Sequence, residues 1–525
     1  MNPFIQKHSA TVTGILSGFD RLVFRGYLKS LAYPAGMKSY LYSAGVLLKD
    51  FAQFVQFSTR QIVTAATEVA EQHARPVLYL PFSRVSKEDL AKQILTSNPV
   101  DQGLVCVLKS VEPCMSYDVR GNRESKQLEL VYRPRKCLHI YQYWIDPVFG
   151  FINARIQTWF PFSIQICLNG REWLSRQMET ESLRYQRRDN CFTWLEDASR
   201  AQTLMNRQRE IHWPTELDQI AQNLNPAHSN LFANFPAFYY WSVFQSEWAT
   251  DVMFCDQASL DAIYPSLIHH GLQTFKSPNI LRFLGHKLTS RGTVHGRFEG
   301  EVTSDVHDRH EGVRIKHRMG SNSLKAYNKQ GNLLRVETTI NNPMGFRVLR
   351  AKQDDDNQQE GAKLEWLPMR KGVADLKRRT EVSQASNDRY LTALALVDIP
   401  IPIKTLVHDI LKPTHLNGKP VRAINPWAED DAQLLETAMR GEFSINGFRN
   451  RDLRSYLCCE PSSKEQQRKQ SEKMSRKLRM LRAHGLIKKV PHTHRYQLTD
   501  KGRKIISALI AARNADANQL SKIAA

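Results

Sequence analysis

The sequence predicts an α+β protein of several domains, with antiparallel sheets in its N-terminal and central parts and a helical module at its C-terminus. Three observations predict this. At 525 residues the chain outgrows a single hydrophobic core, so roughly two to four domains are expected. Strand-like runs dominate residues 10–170 and recur at 296–340, whereas helical apolar spacing governs 430–515. A stretch with five prolines, "DIPIPIKTLVHDILKPTHLNGKPVRAINPW", stands between the two kinds of pattern. The predicted division is an N-terminal α+β domain (1–225), a central α+β domain (226–398), a semi-rigid linker (399–428) and a C-terminal domain (429–525).

The N-terminal part opens with strands in "ATVTGILSGFDRLVFRGYLKSL", continues as a helical stretch from about Gly36 to His73, and returns to a strand in "RPVLYLPF". Between 104 and 170 lies a meander of strand-like runs, followed by the helix "REWLSRQMETESL". An aromatic set (Tyr141, Tyr143, Trp144, Phe149, Phe151, Trp159, Phe160, Phe162) is threaded with Arg133, Arg135, Lys136 and Arg155. It reads either as sheet core with charged edges, the plainer choice, or as a base-stacking platform. Asp20 is a candidate site carboxylate, or else the partner of the neighbouring Arg21.

In the central part Asp251 follows an apolar segment and precedes a helix. The strand-like runs "GRFEGEVTSDV", "EGVRIKHRMG", "NSLKAYNK" and "NLLRVETTI" come next, and "RKGVADLKRRTEVSQASNDRYLTALALV" is a long helix bearing Asp375, Glu381 and Tyr390. The tract "KQDDDNQQEGA" reads as a polar loop. In the hairpin "SNSLKAYNKQGNLLRVETTINNP", Lys325, Tyr327 and Lys329 share one face of their strand, and so do Arg335 and Glu337 on theirs, because side chains alternate with period two; with the turn "KQGN" pairing the arms in register, the two sets line one surface. A strand carboxylate (Glu337), an acid before a helix (Asp251) and an acid on a helix (Asp375) make a candidate ligand set for Mg²⁺ or Mn²⁺, which prefer hard oxygen donors. Charged residues on a solvated sheet face are the ordinary alternative.

The C-terminal part reads as helix ("DDAQLLETAMRG"), short helix ("NGFRNRDLRSYLC"), basic helix ("KQSEKMSRKLRMLRAHG"), β-hairpin ("LIKKVPHTHRYQLT") and closing helix ("DKGRKIISALIAARN"). That order is a winged helix-turn-helix. In the basic helix Met474, Leu478 and Leu481 form the inward stripe, and Lys473, Arg476, Lys477, Arg479 and Arg482 face outward. Lys488, Lys489, His492, His494 and Arg495 lie on the hairpin that forms the wing. All ten are candidate nucleic-acid contacts.

Charge agrees with that assignment. Lys and Arg number 73 against 52 Asp and Glu, a formal net charge of +21, and 441–525 alone carries +12 of it. Such an excess attracts polyanions, and counterion release makes nucleic acid the natural partner. No apolar run is long enough to span a bilayer, and "MNPFIQKHSATVTG" lacks the apolar block of a secretory leader. The eight cysteines include no Cys-x-x-Cys pair, which argues against a zinc ribbon and suits a reducing cytoplasm.

Two resemblances extend the reading. "LRAHGLIKKVPHTHRYQLTDKGR" resembles the recognition-helix, wing and exit-helix region of MarR- and ArsR-like bacterial regulators, which implies DNA binding through the C-terminal module. The hairpin, with Lys325, Tyr327, Lys329, a polar turn, Arg335 and Glu337, is similar over about 20 residues to a strand pair of rolling-circle replication initiators. That likeness implies that Glu337 ligates a metal and that Lys325, Lys329 and Arg335 contact phosphate. The initiators' nucleophilic tyrosine has no counterpart in "VTSDVHDRHEGVRIKHRMGSN"; Tyr327 or Tyr390 would have to replace it, or water would attack directly. The chain as a whole, through "GFDRLVFRG", "CLNGREW", "EWATD" and "GVADL", is similar to a widespread bacterial family with a winged C-terminus, a resemblance that implies no activity.

Two functions are therefore expected: a metal-dependent strand-nicking protein of a mobile element or replicon, initiator-like or transposase-like, or a non-catalytic DNA-binding regulator or RNA-binding scaffold. The expected partner is nucleic acid, DNA before RNA, with no membrane; a dimer is compatible with the module.

Overall fold

A computed structural model describes residues 2–516 except 83, 287, 290–299, 310–311, 352–363, 397–402, 444–446 and 492. The tract "KQDDDNQQEGA" and His492 thus lie outside the described residues. The architecture is mixed α and β, with a large, mostly antiparallel sheet. The chain divides into two compact units that are not contiguous in sequence: an N-terminal unit (15–249 and 339–381) and a C-terminal unit (1–14, 250–338 and 382–525). No described helix is long and apolar enough to cross a membrane.

The N-terminal unit is built on strands β1 (Val12–Leu28), β2 (Val77–Leu80), β3 (Gly103–Asn122), β4 (Gln127–Asp146), β5 (Gly150–Gln157), β6 (Ile164–Asn169) and β7 (Tyr239–Phe254). Their order is β7-β1-β6-β5-β4-β3-β2; β2 and β3 pair in parallel, and β1–β6, β6–β5, β5–β4 and β4–β3 are antiparallel. The several runs of the predicted meander fuse into two strands of 20 residues each, β3 and β4, paired from Gly103↔Ile145 to Asn122↔Gln127. The predicted helical stretch 36–73 is two helices, Pro34–Ser43 and α1 (Phe51–Gln72). In α1 the residues Phe51, Val55, Ser58, Ile62, Ala66 and Ala70 face inward at the three- and four-residue spacing of an apolar helix face. Helix α2 (Gly170–Thr180) starts where the Asn169 side chain accepts from the amides of Arg171 and Glu172. Tyr143, Phe149, Phe160 and Phe162 are buried, so this part of the aromatic set is core.

In the C-terminal unit, β8 (Val302–Arg309), β9 (Gly312–Met319), β10 (Asn322–Lys329) and β11 (Leu333–Ile340) lie in the order β8-β9-β10-β11. The β10–β11 turn has positive φ at both central residues, Gln330 (+56°) and Gly331 (+85°), the backbone that matches the twist of paired strands. Ile315, His317, Leu324 and Ala326 make one buried face of β9 and β10. Tyr390, on helix α3 (Leu376–Leu394), meets it there.

The rest of this unit is α4 (Glu429–Ala438), α5 (Asn450–Leu457), α6 (Lys464–Ala483), the hairpin strands β12 (Ile487–Lys489) and β13 (Tyr496–Leu498), and α7 (Asp500–Asn514). Leu434, Leu435, Leu453, Met474, Leu478, Leu481, Ile505 and Leu509 share its core. Ser463 caps α6 by accepting from the Gln466 amide, and Gly485 (φ +71°) turns the chain out of it. Phe448 bridges to Tyr496, which adds a third strand-like segment to the hairpin. The described part of the proline-rich stretch packs into this same core through Ile410 and Ile424.

Candidate functional site

The hairpin β10–β11 gathers part of the expected cluster. Lys325 Nζ lies 2.5 Å from Glu337 Oε1, and Tyr327 Oη donates to Glu337 Oε2 at 2.9 Å. Lys329 Nζ sits 5.9 Å from the centre of the Tyr327 ring. Alternation puts these groups on one face, and the cross-strand neighbours complete the contacts. Glu337 is buried, which by itself raises a carboxyl pKa; the Lys325 ammonium, then Arg335 and the Tyr327 hydroxyl, overcome this and hold it below the usual carboxylate range.

Arg335, two residues before Glu337, grips Asp251 through two bonds, Nε to Oδ1 at 2.5 Å and Nη2 to Oδ2 at 2.9 Å. Both side chains are fully buried. Asp251 and Arg335, expected as metal ligand and phosphate contact, are thus each other's partners. Asp375, in the N-terminal unit, ends a short 3₁₀ turn rather than lying on the helix. It accepts from the Arg370 amide at 2.7 Å and from Arg378 Nη1 at 2.8 Å. Tyr390 is buried in the core, its hydroxyl 3.0 Å from His317 Nε2, and burial raises its phenol pKa.

Strand β9 contributes charged residues that the sequence reading passed over. Arg314, Lys316 and Arg318 alternate with Ile315, His317 and Met319, and register sets Lys316 opposite Lys325 and Arg314 opposite Tyr327. The signal was legible as period two in "GVRIKHRM", but it gains meaning only once β9 is known to lie beside β10.

The C-terminal module displays its cations differently. Lys477 pairs with Asp430 at 3.2 Å, Lys473 lies 3.9 Å from the same carboxylate, and Arg495 approaches the Gly447 carbonyl at 3.5 Å. Arg476, Arg479 and Arg482, three apart on α6 and so neighbours on its surface, have no side-chain hydrogen bond or ion pair among the described residues. The same holds for Lys488 and Lys489 on β12, both exposed; His494 is exposed as well.

In the N-terminal unit, Asp20 is buried and accepts at both oxygens from Asn190 Nδ2 (2.8 and 2.6 Å), while Arg21 pairs with Glu88 at 3.3 Å. Neighbours on a strand point to opposite faces, which is why the adjacent pair diverges. A Glu247 carboxylate oxygen lies within 4.8 Å of one from Asp20. Arg133 and Arg135 are both held by Asp118 (2.7 and 2.6 Å) and Arg155 by Glu112 (3.0 Å), so these arginines of the aromatic set are bound to acids.

No family model, curated protein or solved structure matches this chain. The residues and their geometry carry the functional reading.

Proposed function

We propose that this protein binds nucleic acid, DNA before RNA, through its C-terminal module acting as a winged helix-turn-helix. The order helix, bridging segment, helix, basic helix, hairpin, helix supports that reading. In it α6 enters the major groove and the β12–β13 hairpin lies along the backbone as the wing. The observation that carries the proposal is the set Arg476, Arg479, Arg482, Lys488 and Lys489, held outward without protein partners in a module whose Lys477 does have one. Guanidinium groups left for solvent on a groove-sized helix are suited to phosphates and to base edges. A mobile element or replicon is the setting suggested by the likeness of the hairpin to replication initiators.

The test is Arg476→Ala combined with Arg479→Ala and Arg482→Ala in the full chain. Affinity for duplex DNA should fall, and the slope of log affinity against log salt should flatten by roughly 0.9 for each phosphate that is no longer neutralised. Unchanged affinity and slope would remove α6 from the interface.

A second reading adds divalent-metal-dependent strand nicking. Asp251 and Asp375 fit a metal poorly, because an arginine guanidinium already neutralises each of them. The Asp20–Glu247 pair of the N-terminal unit supports the reading better, since two nearby carboxylates suit Mg²⁺ or Mn²⁺. An ion there would supply polarisation of a phosphodiester oxygen and acidify a water. Asp20→Asn should then abolish Mn²⁺-dependent cleavage with binding kept. Glu337→Gln should do the same if that carboxylate takes part. Purified protein that cuts neither DNA nor RNA in Mn²⁺ leaves only the binding function.

A further inference from the structure

We propose that the Arg314–Lys316 face of β9 is a second nucleic-acid contact, a track for the phosphodiester backbone of a single strand. The inference rests on the reading that the chain binds nucleic acid, but it uses none of the residues of the C-terminal module.

The register defines the face. Asp305 on β8, Lys316 on β9 and Lys325 on β10 lie in line across three strands, flanked by His307, Arg314 and Tyr327 in the next row. Asp305, directly opposite Lys316, pairs with Arg318 through Oδ2 at 3.3 Å, while its Oδ1 lies 3.5 Å from His307 Nε2 and accepts no hydrogen bond among the described residues. Lys325 is committed to Glu337.

Lys316 and Arg314 are left over. Both are half-buried, and neither has a side-chain hydrogen bond or ion pair among the described residues. Arg314 Nε is withdrawn from solvent with no acceptor. Burial, and after it the charges of Lys325, Arg318 and Arg314, lower the Lys316 ammonium pKa, and the pull of Asp305 opposes them without cancelling them.

Half-buried cations without acceptors cost folding free energy, and like charges directly opposite on paired strands repel. One carboxylate, Asp305, already paired with Arg318, faces this group of cations, and a layer kept in this state suits a further anion from outside the protein. Alternate side chains on a strand stand about 6.8 Å apart, so Arg314 and Lys316 offer successive contacts along an extended polyanion. An extended cationic row on a sheet is the form that follows a flexible single strand, whereas a helix such as α6 suits a duplex groove.

The test uses the full chain and an oligothymidylate probe. Arg314→Ala with Lys316→Ala should weaken binding and flatten its salt slope by roughly 1.4, at about 0.7 per phosphate on a single strand. The α6 triple variant should keep that binding, and duplex affinity should respond in the opposite way to the two sets of substitutions. Free of nucleic acid, Lys316→Met should melt higher than the parent, because it relieves repulsion.

A parent that binds oligothymidylate while the β9 variant binds it equally well, with the same slope, overturns the track and leaves the C-terminal module untouched. Failure of the parent to bind any nucleic acid overturns the functional reading itself. A lower melting temperature for Lys316→Met would mean that the ammonium has an anionic partner in the protein, which also overturns the proposal.

Discussion

The β10–β11 hairpin and the α6–β12 region draw on the same side chains and dispose of them in opposite ways. In the hairpin every cation of the expected set is tied up: Lys325 on Glu337, Lys329 beside Tyr327, Arg335 on Asp251, with Arg335, Glu337 and Asp251 withdrawn from solvent. On α6 and β12, three arginines and two lysines stand outward with nothing among the described residues to hold them. Charge alone therefore does not distinguish a binding surface from a scaffold. A buried charge must be paired to exist at all, whereas an exposed one is hydrated at little cost and stays available to a ligand.

The comparison breaks most visibly at Asp251. Asp251→Ala leaves the Arg335 guanidinium buried without its partner, and chemical denaturation should show a loss of about 3–5 kcal/mol. An unfolding free energy equal to that of the parent would show that Arg335 finds water instead.

On α6, Arg479→Ala at a half-buried position and Arg482→Ala at an exposed one should each cost far less stability than Asp251→Ala, because neither side chain is held by a protein partner among the described residues. Each should weaken specific DNA binding by about 1–3 kcal/mol if it reads a base, and by less if it touches phosphate only. Titrations on specific and scrambled duplexes separate these cases, and a stability loss comparable to that of Asp251→Ala would erase the contrast.

A third effect lies on the other face of β9. Burial lowers the His317 imidazole pKa to about 4, against a smaller opposing pull from Asp305. The fold thus favours the neutral ring. Its contribution is fully present above the ordinary imidazole value and is lost as pH falls toward the folded one. For a shift of that size, stability should drop by about 1.4 kcal/mol between pH 8 and pH 5.5. His317→Asn should remove that share of the slope in denaturation curves; an unchanged slope would assign it to other histidines whose pKa burial lowers, such as the half-buried His270 and His286.

The smallest effect is at the edge of the module. Lys473 is exposed and 3.9 Å from Asp430, so Lys473→Ala should alter stability by about 0–1 kcal/mol and appear chiefly as a shallower salt slope in DNA titration.

Local patterns were legible in the sequence because they depend on near neighbours. The inward stripe of Met474, Leu478 and Leu481 and the polar turn of the β10–β11 hairpin appear where spacing and backbone preference place them. The cationic surface of α6 followed from the same count of turns. Partners were not legible. Asp251 reaches Arg335 across 84 positions of sequence, Arg21 pairs with Glu88 and not with its neighbour, and Lys316 meets Lys325 only because β9 and β10 pair in one particular register. Spacing along a chain sets the face on which a side chain emerges; strand pairing over long separations sets what it meets there. That second decision belongs to the tertiary structure, and it is what commits Asp251 to a guanidinium while leaving Arg314 and Lys316 without a side-chain hydrogen bond or close ion pair among the described residues.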